Sequence, residues 1–202
     1  MIARRTFFAA LLAAAAPVRP LRAADAAPPQ ATVSAFYAAL LATMKDGPAL
    51  GFKGRSERLA PAIRRAFDLP LMTRLMVGPQ WAGLPPDQQQ QLVAAFTEFS
   101  IATYANRFDD YSGERFEVEP TTTPATTGVI VHSKLIKGEG DSVQLDYLIH
   151  ETDEGWQIVD VYLSGTVSEL ATRRSEFSSV MRRGGAGALV DLLQKKAAEL
   201  RS

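Results

Sequence analysis

Hydrophobic positions along the chain first change their period at Gly113. Before it they recur at helical spacing. Val33, Phe36, Tyr37, Leu40, Leu41 and Met44 fall on one side of a helix that Gly47-Pro48 stops. Leu59, Ile63 and Phe67 continue as a second stripe, with arginines between them. LPLMTRLMV predicts a short, very apolar helix ended by Gly78-Pro79. Prolines and Asp87 then open a longer helix with Leu92, Phe96, Phe99, Thr103 and Phe108 near one face.

After Gly113 the text alternates at period two. FEVEPT, GVIVHSKLIKG, DSVQLDYLIHET and GWQIVDVYLSG each predict a strand with one buried face. Lys137–Asp141 and Asp153-Glu154-Gly155 read as hairpin loops, giving an antiparallel meander. Alternation puts Val129, Val131, Ser133 and Leu135 on one face, and Val143, Leu145, Tyr147 and Ile149 likewise. In the last strand Val159, Val161 and Leu163 form the matching face, and Gly165 permits the turn that follows. Helix returns from Thr166 to Arg182, with Val167, Leu170, Ala171, Phe177 and Met181 on its buried side. After the breaker Gly184-Gly185 it resumes from Gly187 to the end. Segment 27–111 is thus mainly helical, 113–165 antiparallel strands, and 166–202 helical. That order is an α+β layout, expected as one domain over 27–202.

The N-terminus changes the picture of where such a domain works. Arg4 and Arg5 precede an apolar run from Phe7 to Ala16, and Ala24-Asp25-Ala26 fits a cleavage site. Residues 1–26 therefore read as a secretory signal peptide cut within 23–26, too short to span a bilayer. Its arginine pair also resembles a twin-arginine signal, although ordinary signals share that feature. Export to the periplasm is the expectation, and no later segment is apolar enough to cross a membrane. Without positions 1–26, 18 basic and 21 acidic residues remain, a net charge of −3. A mildly acidic chain is poorly matched to nucleic acid or anionic membrane surfaces. Cysteine is absent, which removes disulfides, thiolate nucleophiles and thiolate metal sites together.

Candidate chemistry is sparse. His132 and His150 lie on strand faces opposite the apolar stripe, and a hairpin would bring them together with Asp146 as a third ligand. Their spacing matches no metal motif, so solvated strand histidines are the expectation, with no metal and no cofactor. No GxSxG, P-loop or GxGxxG occurs. Thr121-Thr122-Thr123 with Thr126-Thr127 reads as turn chemistry. Asp160, among Ile158, Val159 and Val161, is the carboxylate expected to be buried, bonding backbone at the sheet–helix corner. Apolar material, by contrast, is plentiful. Leu69, Leu71, Met72, Leu75, Met76, Val77 and Trp81 crowd one short segment, enough to wall a cavity as well as a core.

Several separated motifs carry a resemblance. G-x-x-W-x-x-L-x-x-x-Q (Gly78, Trp81, Leu84, Gln88) is followed by Y-A-x-x-F-x-x-Y-x-G (Tyr104, Ala105, Phe108, Tyr111, Gly113). W-x-I-x-D-V-x-x-x-G (Trp156, Ile158, Asp160, Val161, Gly165) then leads into S-x-x-x-x-R-R-S-E-F (Ser168, Arg173, Arg174, Ser175, Glu176, Phe177). Their order resembles the MlaC or toluene-tolerance family of periplasmic lipid carriers, and SELATRRSEF resembles its hopanoid-associated, HpnM-like branch. The resemblance implies an NTF2-like curved antiparallel sheet of about four strands, covered by helices that enclose an apolar pocket. It implies a non-enzymatic shuttle of phospholipid or hopanoid between an inner-membrane ABC transporter complex and an outer-membrane lipoprotein or porin complex, through transient contacts.

The physics agrees with that expectation. A buried methylene is worth about 0.8 kcal/mol, so two tails of about fifteen methylenes come to roughly 24 kcal/mol, which a carrier must match by its own burial. Period and apolarity assign the lining to Leu71, Met72, Leu75 and Met76, with Val131, Leu145, Tyr147, Val161 and Leu163 from the strands. The competing function is an NTF2-like enzyme on a small apolar substrate, with Asp160 or His132 as base. A third is a structural or partner-binding envelope protein with no cavity.

Overall fold

Helix-period and strand-period segments fold into two layers, because each has one apolar face to cover. The structure, a computed structural model, describes residues 27–138 and 140–201. The expected signal peptide, 1–26, lies outside the described residues. The helices are α1 (Pro29–Lys45), α2 (Gly47–Ala66), α3 (Leu69–Val77), α4 (Pro86–Arg107) and α5 (Glu169–Glu199). A short 3-10 turn, Gly78–Gly83, follows α3. The strands are β1 (Arg115–Ala125), β2 (Gly128–Ile136), β3 (Ser142–Thr152), β4 (Gly155–Leu163) and β5 (Val167–Ser168). They form one antiparallel sheet in chain order, the expected four long strands plus a two-residue fifth.

Register fixes which side chains face the helices. In β2 and β3, Val131 pairs with Tyr147 and Ser133 with Leu145, all buried on the inner face. Between β3 and β4 the ladder shifts at Leu148/Ile149: Leu148 pairs with Asp160, but Ile149 pairs with Ile158. Val159 is the extra residue. Strict alternation would put it on the face of Val161; the bulge instead sends Ile158 into the main core cluster and leaves Val159 buried outside it. A second shift falls between Val118 and Thr122 in β1, the outermost strand, which also contains Pro120 and Pro124. Thr121–Thr123, expected in a turn, belong to β1 itself, and only Thr126-Thr127 turn the chain.

Helix ends follow local chemistry. Asp68 caps α3 by accepting from the Leu71 amide at 2.9 Å, and Ser168 caps α5 through the Ala171 amide at 2.9 Å. Two helices are broken inside, at Gly51 (φ 59°, ψ 179°) and Gly185 (φ 70°, ψ −166°), conformations that only glycine adopts cheaply. The first half of α5 differs from its expected face: Phe177 and Met181 are buried, whereas Ala171 is exposed and Val167 sits 52% exposed in β5. The core fills the space between the layers with Phe36, Leu40, Leu59, Ile63, Phe96 and Phe177, against Val131, Ile149 and Ile158.

Candidate functional site

The inner face of β3 and β4 does not meet the helices everywhere. Cross-strand pairs Leu145–Leu163 and Tyr147–Val161 form one wall of a cavity of about 90 Å³. Opposite them stand Ile63 of α2, Leu69 and Met72 of α3, Phe67 between those helices, and Phe96 and Tyr104 of α4. Two wider depressions, of about 500 and 670 Å³, border the β3–β4 turn at Glu154 and not the sheet's inner face.

Of the residues assigned to the lining from sequence, Met72, Leu145, Tyr147, Val161 and Leu163 lie on this cavity. Leu71, Leu75, Met76 and Val131 do not. The turn of α3 explains two of them: Leu69, Met72 and Met76 project inward, while Leu75 is 38% exposed beside exposed Arg74, and Leu71 is half-buried. Met76 and Val131 are buried in packed core, 1% and 0% exposed, away from the opening. The pattern of α3 favoured its inner stripe over Leu71 and Leu75; the density of apolar residues concealed that preference.

Aromatic rings close one side of the cavity. Phe36, Tyr104, Phe108, Phe116 and Tyr37 contact in sequence and close back on Phe36, with centroids 4.2–6.2 Å apart. Phe67 meets both Phe36 and Tyr104, and Tyr147 meets Tyr37 edge-on at 5.7 Å. Such offset and edge-to-face pairs add to the burial of the rings themselves. One polar chain runs through this cluster: Tyr37 donates to Ser133 Oγ at 2.6 Å, and Ser133 donates to the Leu145 carbonyl at 2.5 Å. Burial pushes the Tyr37 phenol up to about 12, and also raises those of Tyr104 and Tyr147. These phenols stay neutral, and Tyr104 and Tyr147 belong to the lining.

The other side of the lining is charged. Arg107 at the end of α4 is exposed, while Glu169 and Arg173 on the first turns of α5 are half-buried, so here the cavity wall reaches solvent. Arg173 lies 3.3 Å from Glu169 and stacks over the Phe99 ring at 4.8 Å. Sequence reading missed both α5 residues as part of a site. SELATRRSEF reads as a solvated helix face, and only the packing of α5 on α4 shows otherwise.

The groups weighed as catalytic lie elsewhere. Asp160 accepts from the Leu170 amide at 2.9 Å and from Ser168 Oγ at 2.5 Å, so its carboxylate fastens the start of α5 to β4, as expected for that corner. The two histidines are not simply solvated. His132 Nδ1 lies 3.1 Å from Asp146 and its Nε2 2.8 Å from Thr123 Oγ1; His150 Nε2 lies 3.0 Å from Asp68. They serve separate pairs, and among the described residues no cluster of three potential metal ligands exists. Neither Asp160 nor His132 lines the cavity.

The sequence from residue 35 to 195 matches the family model described as MlaC protein. The chain belongs to the MlaC family. A solved structure similar to this member is the phospholipid-binding protein from Ralstonia solanacearum in complex with a phospholipid. It is 30% identical, with a TM-score of 0.76 over 87% of this chain and 100% of that one. No curated protein matches the sequence. The MlaC fold accounts for the α+β layers described above, and no described helix is long and apolar enough to cross a membrane.

Proposed function

We propose that this MlaC-family chain is an exported periplasmic carrier that holds a phospholipid with its tails between the sheet and the helices. Residues 27–202 would form a single carrier domain, released from its signal peptide. It would pass lipid between an inner-membrane ABC transporter complex and an outer-membrane complex through transient contacts. The observation that carries this reading is an apolar, aromatic-lined cavity in a chain whose structural relative was solved with a phospholipid.

Size adds a requirement. At about 90 Å³ the cavity is well below the roughly 300–1,000 Å³ of ordinary ligand pockets. Lipid tails therefore enter only if helices move off the sheet. The lining suits such motion, since Met72 is an adaptable side chain on a nine-residue helix.

The enzyme alternative gains no support from its two candidate bases. Asp160 is occupied as a helix fastener, and His132 sits outside the cavity.

Purification with the signal intact and without detergent, followed by extraction and mass spectrometry, tests the carrier. Near-stoichiometric phospholipid is expected, and a hopanoid in its place would assign the chain to the hopanoid-associated branch. Val161→Asp should abolish copurified lipid in a protein that still folds. A wild-type chain that carries no lipid and takes up none from vesicles overturns the reading.

A further inference from the structure

The charges on the cavity lining do not balance. Arg107 and Arg173 bring two guanidinium groups, and Glu169 is the one carboxylate on the lining with them. Glu169 pairs with Arg173 at 3.3 Å, across one turn of α5. Arg107 has no ion pair among the described residues. Burial lowers the pKa of Arg173; the Glu169 charge opposes that, and the nearby Arg107 adds to it. A second arginine beside a half-buried one is an arrangement that a protein gains nothing from by itself.

Other polar groups on this rim are already committed. Ser100 donates to the Phe96 carbonyl and Thr103 to the Phe99 carbonyl, both at 2.8 Å. The charged donors left to face an occupant are the guanidinium N–H groups. Phe99 beneath Arg173 and Glu169 beside it fix the plane of that fork, so little side-chain freedom remains to be lost on binding. A planar guanidinium matches two oxygens of a phosphate, and such charge-assisted pairs are among the strongest hydrogen bonds available.

Granting the carrier function proposed above, we infer that Arg107 and Arg173 form a site for the phosphodiester of the lipid whose tails enter the cavity. Glu169 cancels one of the two positive charges and orients Arg173. The single remaining charge matches the single negative charge of a phosphodiester. The apolar wall then sets how much tail is taken, and the rim selects lipids that carry a phosphate over those with the same tails and none. A free phosphate ion shares this chemistry but lacks the tails, so it should compete poorly.

The test offers purified wild-type protein vesicles containing equal amounts of phosphatidylglycerol and dipalmitoylglycerol, and counts each lipid retained per protein. At 1.5–3 kcal/mol for hydrogen bonds to charged groups, phosphatidylglycerol should be retained about tenfold or more in excess. In Arg107→Gln/Arg173→Gln the ratio should fall to near one. Should the double variant fail to fold, Arg107→Gln alone carries the test, since that residue is exposed and unpaired; it should lower the ratio several-fold. A ratio unchanged in these variants, or equal uptake of both lipids by the wild type, overturns the phosphate site and leaves the carrier standing. Uptake of neither lipid removes the carrier function and the site with it. Release of bound phosphatidylglycerol by millimolar phosphate at matched ionic strength would show a free-anion site, and overturn the assignment to lipid.

Discussion

Phe36, Tyr37, Tyr104, Phe108 and Phe116 hold one another in a closed ring of contacts that reaches the cavity through Tyr104 and Phe108, while on the same lining Arg173 has only Glu169 as its ion-pair partner and Arg107 has none among the described residues. The ring is satisfied from within: its members bury one another, and its one buried hydroxyl chain ends on a backbone carbonyl. The rim is left with donors to spare. A site's stability and its selectivity can therefore be sought in different residues, even where those residues share a wall. Tyr104 joins the two, since its phenol is raised chiefly by burial while both arginines pull it back.

Removing a ring member should have the largest effect on folding. Phe36→Ala empties the centre of the aromatic cluster and should cost about 3–5 kcal/mol in urea unfolding. A loss below about 1 kcal/mol would mean the cluster closes readily around the gap, contrary to the contact pattern. Asp160→Ala comes next, at about 1–3 kcal/mol, because the Leu170 amide and Ser168 hydroxyl lose a buried acceptor. Faster hydrogen exchange at Leu170 should accompany it, and the rim residues Glu169 and Arg173 should lose order with that turn. If exchange there is unchanged, the rim is held by packing alone.

Alkali should act on the buried phenols rather than on the rim. The Tyr37 phenol ionises near pH 10 in the unfolded chain but only at about 12 when buried. Above pH 10 the unfolded state thus binds fewer protons than the native one, so stability falls as pH rises toward 12. Melting temperature followed over that window should decline, and Tyr37→Phe should flatten the decline. The smallest effect on folding belongs to the rim: Arg107→Gln should shift stability by no more than about 0.5 kcal/mol. Its lipid ratio should nevertheless change, and a large stability loss there would erase the distinction between the two sides.

How much of this was legible beforehand follows the same division. The helices, the hairpins and the inward faces of β3 could be read because each repeats at its own period over many residues. Leu145, Tyr147, Val161 and Leu163 follow from that alternation alone. The bulge that puts Ile158 in place of Val159 inside the core was not legible, because a one-residue insertion leaves no mark in a run as apolar as Ile158-Val159. Leu71 and Leu75 were assigned inward because their whole segment is apolar, and composition hides a helical face where every side is greasy. Arg173 escaped for another reason. Its ring partner Phe99 and its like-charged neighbour Arg107 lie far back in the chain, and its local pairing with Glu169 reads like any ion pair on a solvated helix face.

The outermost strand has a consequence beyond the cavity. An open sheet leaves edges on which another chain can build, and β1 is the long strand at one of them. Pro120 and Pro124 remove two amide donors from it, and the irregular register between Val118 and Thr122 breaks its line. Gln30 at the start of α1 further occupies the Pro120 carbonyl at 2.7 Å. Two copies meeting edge to edge there would find no continuous ladder. The fold thus guards against edge-to-edge pairing along β1, the long strand at which its sheet ends.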